Sequence, residues 1–213
     1  KGLESAVDDV YPGVEHRECM RHLARNFSKK FKGKLFDDNS WPCSLTYSIK
    51  KHNYHLNQLN SKSKVKEFLE EHHTKIWTRA DFNEMCKVDY VNNNLAESFN
   101  SRIRKYKSLH IVDLLDKIRQ YIMEKFDLRN RTATDHFIGH YIIPAVMKVL
   151  MEKTKGLEMI IVRRIPTEAE VTATNRDKRE WRYPVDLEEW SCSCRQWQIT
   201  SKPCIHALFS SLL

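Results

Sequence analysis

Residues Trp190 to Leu208 read WSCSCRQWQITSKPCIHAL, in which Cys192 and Cys194 form a CxC pair, Cys204 and His206 a CxH pair, and nine residues lie between the pairs. Structural zinc takes four thiolate or imidazole ligands in a tetrahedron. Two tight pairs joined by one loop supply four such ligands and leave no position for water, so the spacing predicts a closed Cys3His zinc site. Three of the six cysteines fall with a histidine inside fifteen residues, which separates this array from cysteines that merely pack in a core. Cysteines spaced as ligands rather than as a disulfide framework also favour a reducing compartment.

Working outward, the 213 residues are 41% hydrophobic and 10% aromatic, enough to pack one or two domains and to exclude global disorder. A net charge of +8 and a pI near 9.1 direct attention to a polyanion, because clustered Lys and Arg release counterions from phosphates. A solvated basic surface has the same composition, so charge alone leaves both readings open. No apolar run approaches the roughly eighteen residues of a membrane helix, and no basic start followed by an apolar stretch marks a signal peptide. No membrane partner is therefore expected. The sequence begins at Lys1 and stops at Leu213 inside an apolar run, which reads as a fragment of a longer protein.

Apolar residues at helical spacing over residues 4–10 and 16–31, broken by Tyr11-Pro12-Gly13, predict two short helices or a strand and a helix. Residues 32–64 are polar and rich in Asn, Ser and Lys and read as irregular, and 65–77 as one more helix. Asn93 or Asn94 is a suitable N-cap for a helix through Leu95, Phe99, Ile103 and Tyr106. Ile111, Leu114, Leu115, Ile118, Ile122 and Phe126 form the clearest amphipathic stripe. Residues 136–153 repeat the habit, with Pro144 as an interruption or an entry. After Gly156 the period changes, and Met159–Ile165, Glu170–Thr174 and Trp181–Leu187 read as strands leading into the zinc loop.

Two further motifs carry chemistry. His16, Cys19 and His22 recur at i, i+3 and i+6, close to one face of the expected helix. Cys19 and His22 are a CxxH pair that offers two metal ligands; the competing reading is a buried cysteine with polar-tipped neighbours, since no second ligand pair stands nearby. In Asn92-Asn93-Asn94-Leu95-Ala96-Glu97-Ser98-Phe99-Asn100, Glu97 follows the cap by about a turn, the ordinary place for an acid that complements a helix dipole.

The C-terminal array resembles the SWIM zinc finger. Trp197 and Gln198, Pro203, Ala207 and the upstream Tyr183-Pro184-Val185-Asp186-Leu187 match its plant Mutator-like version, with one departure: Ser201 stands where that family usually has Gly, so a turn requiring positive φ there is strained. In order along the whole chain, Lys1-Gly2-Leu3, Tyr11-Pro12, the CxxH with Asn26-Phe27, Trp77-Thr78-Arg79-Ala80-Asp81-Phe82, NNNLAESFN and the finger resemble the plant Mutator-like element transposases.

That resemblance implies an α+β architecture: a partial, mostly helical RNase H-like catalytic domain over 1–155, with a helical insertion at about 32–90, then a small β-rich SWIM finger over 156–213. It implies a nuclear DDE transposase in which two aspartates and a glutamate hold two magnesium ions for DNA cleavage and strand transfer. Glu97 occupies the glutamate position; the two aspartates fall before Lys1, and Asp8 and Asp9 do not match them, so the fragment is expected to be inactive as it stands. Zinc and magnesium are thus the implied cofactors, and DNA, as transposon ends or promoter DNA, the implied partner, with homo-oligomerisation open. In the insertion, Lys29, Lys30, Lys32, Lys34, Lys50, Lys51, Lys62, Lys64 and Lys66 are candidates for phosphates, and Trp41, Tyr47 and Trp77 for stacking on bases, against a reading as solvated lysines and core aromatics. Arg102 replaces the family's usual tryptophan and opens a basic run with Arg104, Lys105 and Lys107. The competing functions are a domesticated, non-catalytic DNA-binding regulator and a SWIM protein-interaction module.

Overall fold

The computed structural model describes residues 2–61, 64–139, 143–155, 159–174 and 179–211; Lys1, Lys62, Gly156 and Leu213, named above, lie outside them. The described chain is mostly helical, with one four-stranded antiparallel sheet toward the C-terminus. It divides into two compact units, Lys1–Asn92 together with Glu158–Leu213, and Asn93–Leu157.

The helical part of the first unit contains α1 (Gly2–Val10), α2 (Met20–Lys30), α3 (Lys34–Leu45), α4 (Ile49–Asn60) and α5 (Val65–His72). Helix α2 turns Met20, Leu23 and Phe27 inward, the i, i+3, i+7 positions of one face, onto Cys43, Leu59, Val65, Phe68 and Leu69. Phe27, Phe31 and Phe68 interlock here, with centroids 4.7 Å apart for Phe27–Phe31 and 5.3 Å for Phe31–Phe68. Helix α2 is shorter than the sequence suggests because residues 16–18 are extended and tied to Ile76, with Glu18 N–H donating to the Ile76 carbonyl at 2.8 Å. Likewise α5 stops at His72, and Trp77 lies beyond it in the segment that pairs with residues 16–18.

The expectation of an irregular stretch over 32–64 is wrong, for a definable reason. Helices α3 and α4 bury polar residues that a hydrophobicity pattern counts as loop. His52 is buried because its ring Nδ1 meets the Cys43 carbonyl at 2.9 Å and the Thr78 hydroxyl at 3.2 Å, while that hydroxyl donates to the same carbonyl at 3.1 Å. These bonds satisfy the buried ring Nδ1 and hydroxyl, which removes the penalty that would otherwise exclude them. Burial, and then the nearby Asp81 charge, push the Cys43 thiol up to about 12, so it is an inert core residue.

The sheet is a meander in the order β1 (Met159–Ile165), β2 (Glu168–Thr174), β3 (Glu180–Asp186), β4 (Ser191–Cys192). The expected strands all form, and the two-residue β4 is the addition. Val171 pairs with Tyr183 and Val185 with Cys192; period-two alternation puts Ala169, Val171, Tyr183 and Val185 on one buried face. Two short helices, α9 (Gln196–Thr200) and α10 (Ile205–Ser211), complete this unit.

The second unit is α6 (Asn94–Ile103), α7 (Ile111–Phe137) and α8 (Pro144–Thr154). Pro144 is an entry, at the first turn of α8, where its missing N–H costs nothing. Helix α7 continues eleven residues past the expected Phe126, where no residue is buried and Arg131 pairs with Asp127 at i, i+4. Phe99 of α6 meets Tyr121 of α7 at 6.3 Å.

Candidate metal centre

The sheet and the two last helices bring the four sequence-predicted ligands together. Cys192 ends β4, Cys194 lies in the turn after it, and Cys204 immediately precedes α10, whose first turn carries His206. One ligand atom from each of Cys192, Cys194, Cys204 and His206 lies within 4.8 Å of the others, and all four residues are buried. The Cys192 Sγ to His206 Nδ1 distance is 3.7 Å. A tetrahedral zinc with bonds of about 2.3 Å to sulfur and about 2.0 Å to nitrogen has edges of roughly 3.5 to 3.8 Å, so the donor set fits zinc.

Supporting bonds hold the ligands in place. The Cys194 N–H donates to Cys192 Sγ at 3.5 Å and the Ala207 N–H to Cys204 Sγ at 3.4 Å, the pattern expected of thiolate acceptors. Gln198 clamps Cys192 from both sides: its Oε1 accepts from the Cys192 N–H at 3.4 Å and its Nε2 donates to the Cys192 carbonyl at 3.0 Å. Tyr183 lies stacked on the His206 ring, 3.8 Å between centroids, and orients that ligand.

The thiols are strongly interdependent. Hydrogen bonds from Cys192 and Cys194 hold Cys204 far below the usual thiol range. Hydrogen bonds to Cys194 and Cys204, and then burial, push Cys192 well above it. Cys194 accepts from Cys192, which favours its thiolate, but its bond to Cys204, burial and the Cys204 charge outweigh that and raise it to about 12. Protein alone therefore favours one thiolate here; three require a compensating cation. Burial, followed by the charges of Cys194, Cys192 and Cys204, raises the Tyr183 phenol as well.

The segment between the ligand pairs is embedded in the helical part of the same unit. Ile199 of α9 is fully buried and belongs to the cluster of Met20, Leu23, Phe27 and Phe82. Arg195 donates to the carbonyls of Ala80 and, at 3.1 Å, Phe82, and pairs with Glu84 at 3.1 Å. The Lys87 ammonium donates to the Gln198 carbonyl at 2.7 Å. Two left-handed residues shape this loop, Arg195 at φ 65° before α9 and Ser201 at φ 53° after it. Ser201 is thus the positive-φ turn anticipated from the departure at that position. Sequence reasoning missed Arg195 and Ile199, and it named Gln198 only as part of the finger's pattern, without its clamp on Cys192; the apolar Ile199 between Gln198 and Thr200 was the available signal.

The other candidate residues lie elsewhere. Cys19 is the half-buried N-cap of α2 and His22 is exposed one turn on, so the expected single helical face does not exist; His16 pairs instead with Asp8 at 2.8 Å. Among the described residues, neither Cys19 nor His22 joins a group of three or more potential ligands. Asn93 occupies the N-cap of α6, its carbonyl accepting from the Glu97 N–H at 3.0 Å, but its side chain makes no cap bond. Glu97 is exposed and belongs to no ligand group among the described residues. One carboxylate does not make a magnesium site, so no metal-dependent step follows from these residues alone. Of the aromatics, Tyr47 donates to Asp89 at 2.5 Å beneath Arg79, and Trp77 packs against His52 at 5.6 Å; Trp41 is partly exposed. Tyr47 and Trp77 are thereby engaged within the protein.

Comparison with known families agrees with the site. The SWIM zinc finger family matches residues 171–212, a span holding all four clustered ligands, which supports zinc as the metal. No curated protein and no solved structure matches the chain. The model of the family described as transposase, Mutator family, matches residues 1–112, more than half of the sequence and inclusive of Glu97. With a zinc-finger array behind it, that match supports a transposase-related function: the chain belongs to the Mutator family of transposases.

Proposed function

We propose that the chain is the DNA-handling portion of a nuclear, plant-type Mutator-like DDE transposase, with residues 1–155 as the RNase H-like part and 156–213 as the finger. The observation that carries this reading is the joint occurrence of a Mutator-family match over residues 1–112 and a buried Cys3His cluster inside the SWIM match. In this reading Cys192, Cys194, Cys204 and His206 hold a structural zinc. Glu97 supplies one of the three carboxylates of a magnesium site, the others being aspartates that the described residues do not provide. Zinc supplies folding free energy here; the chain's own contribution is to bury the ligands, orient His206 through Tyr183 and clamp Cys192 through Gln198.

The test is a labelled-duplex titration of zinc-loaded protein, followed by a magnesium-dependent cleavage assay on a chain that carries the two aspartates. DNA binding with cleavage abolished by Glu97→Gln supports a transposase. Binding without any cleavage identifies a domesticated DNA-binding regulator, and absence of binding leaves the finger as a protein-interaction module and refutes the proposal. If Glu97 only complements the helix dipole, Glu97→Gln costs at most about 1 kcal/mol of stability and leaves cleavage intact.

A further inference from the structure

The outward face of α2 carries an arrangement of charge that works against the helix itself. From Cys19 to Phe36 the chain contains Arg21, Arg25, Lys29, Lys30, Lys32 and Lys34 and no acidic residue. With Met20, Leu23 and Phe27 buried, the opposite face presents Arg21, Arg25 and Lys29 at i, i+4 and i+8, all exposed. Lys30 stands apart, lying over the Phe68 ring at 4.6 Å. Among the described residues, Arg21, Arg25 and Lys29 take part in no ion pair.

Lys29, in the last turn, suits the helix dipole, but two other features of the row are locally unfavourable. Arg21 sits in the first turn, where the helix dipole disfavours a cation, and no acid in that turn offsets it. Like charges at i, i+4 repel, so the Arg21, Arg25, Lys29 row destabilises the helix twice by a few tenths of a kcal/mol. The core contacts of Met20, Leu23 and Phe27 hold the helix regardless. A row of cations kept at a cost to its own element, on a rigid and core-anchored face, fits a partner that supplies the missing negative charge.

Spacing identifies the partner. Four helical residues rise about 6 Å, so the three side chains span about 12 Å. Over that length one strand of duplex DNA presents three to four phosphates, at about 3.4 Å per charge. We propose that the outer face of α2 is a docking surface for the backbone of duplex DNA, with Arg21, Arg25 and Lys29 on phosphates of one strand. This inference rests on the DNA-binding reading above and adds where the backbone lies. Contacts of this kind position the protein and carry no sequence information.

The experiment is a fluorescence-anisotropy titration of a mixed-sequence duplex at several salt concentrations between 50 and 200 mM, with three zinc-loaded proteins. These are wild type, the triple variant Arg21→Ala/Arg25→Ala/Lys29→Ala, and a charge-matched control, Lys148→Ala/Lys153→Ala/Lys155→Ala, on exposed positions of α8 and its end. At about 0.9 per phosphate, the α2 variant should lower the magnitude of the log K against log salt slope by about 2.7, making the affinity loss between 50 and 200 mM about 40-fold smaller. Its melting temperature should be equal to or above that of wild type, since repulsion has been removed; a purely structural role predicts the reverse. The control should keep the wild-type slope. A wild-type slope in the α2 variant, or an equal loss in the control, overturns the inference while leaving DNA binding intact. Failure of the wild type to bind duplex at 50 mM salt overturns the DNA-binding reading and this inference with it.

Discussion

Replacing Ile199 by Ala should loosen the helices of the first unit although the substitution lies between the zinc ligands. Ile199 is fully buried, and its side chain closes the cluster built from Met20, Leu23, Phe27, Leu59 and Phe82. Removing three carbons forfeits about 2.4 kcal/mol of transfer free energy at about 0.8 kcal/mol per methylene, and the residual cavity adds to that. The total expected is about 3 to 4 kcal/mol, within the range found for buried Ile to Ala changes. At about 2–4 °C per kcal/mol for a domain of this size, the melting temperature should fall by roughly 10 °C. Zinc stoichiometry should be unchanged, because no ligand is altered. Thermal melting with metal analysis measures the first two quantities, and hydrogen exchange locates the effect: amides of Met20–Lys30 and Val65–His72 should lose protection. A variant that melts within 1 °C of wild type, or whose exchange rises only in the sheet, would refute the reasoning that α9 is part of the helical core.

Cys204→Ser should abolish stoichiometric zinc and melt the sheet with α9 and α10, because structural zinc contributes folding free energy outright; retained zinc in metal analysis would contradict the ligand assignment. Arg195→Ala strands the Ala80 and Phe82 carbonyls and should cost about 1–3 kcal/mol by denaturant unfolding, with zinc retained. Ser201→Gly relieves a left-handed backbone at φ 53° and should raise stability by about 1 kcal/mol or less, read as a small upward shift in melting temperature.

How legible the fold was depended on whether a segment's role could be expressed as hydrophobic period. The strands were legible because Val171, Tyr183 and Val185 alternate with less buried neighbours, and the zinc ligands because their chemistry permits little besides that spacing. Helix α2 was legible from Leu23 and Phe27, but not its start, since the pairing of residues 16–18 with Ile76 joins positions about sixty apart. Helices α3 and α4 were not, because the buried His52 is satisfied by Cys43 and Thr78, partners that only the folded chain supplies, while the buried Ser44 and Ser48 bond locally to Trp41 and Lys51. The grip of Arg195 on Ala80, Phe82 and Glu84 spans more than a hundred residues, and nothing local distinguishes that arginine from a solvated one.

The position of Ile199 also has a consequence for synthesis. The helical core draws on residues from Met20 to Val91 and is closed by Ile199, so on the ribosome it lacks one wall while the intervening segment, roughly 110 residues, is made. At about 5–20 residues per second that interval lasts about 5 to 20 s. Throughout it the cluster that holds Phe27, Phe68 and Phe82 lacks Ile199. Polypeptides that terminate before Ile199 keep that wall missing permanently, which makes them substrates for quality control and couples the abundance of the helical part to completion of the finger.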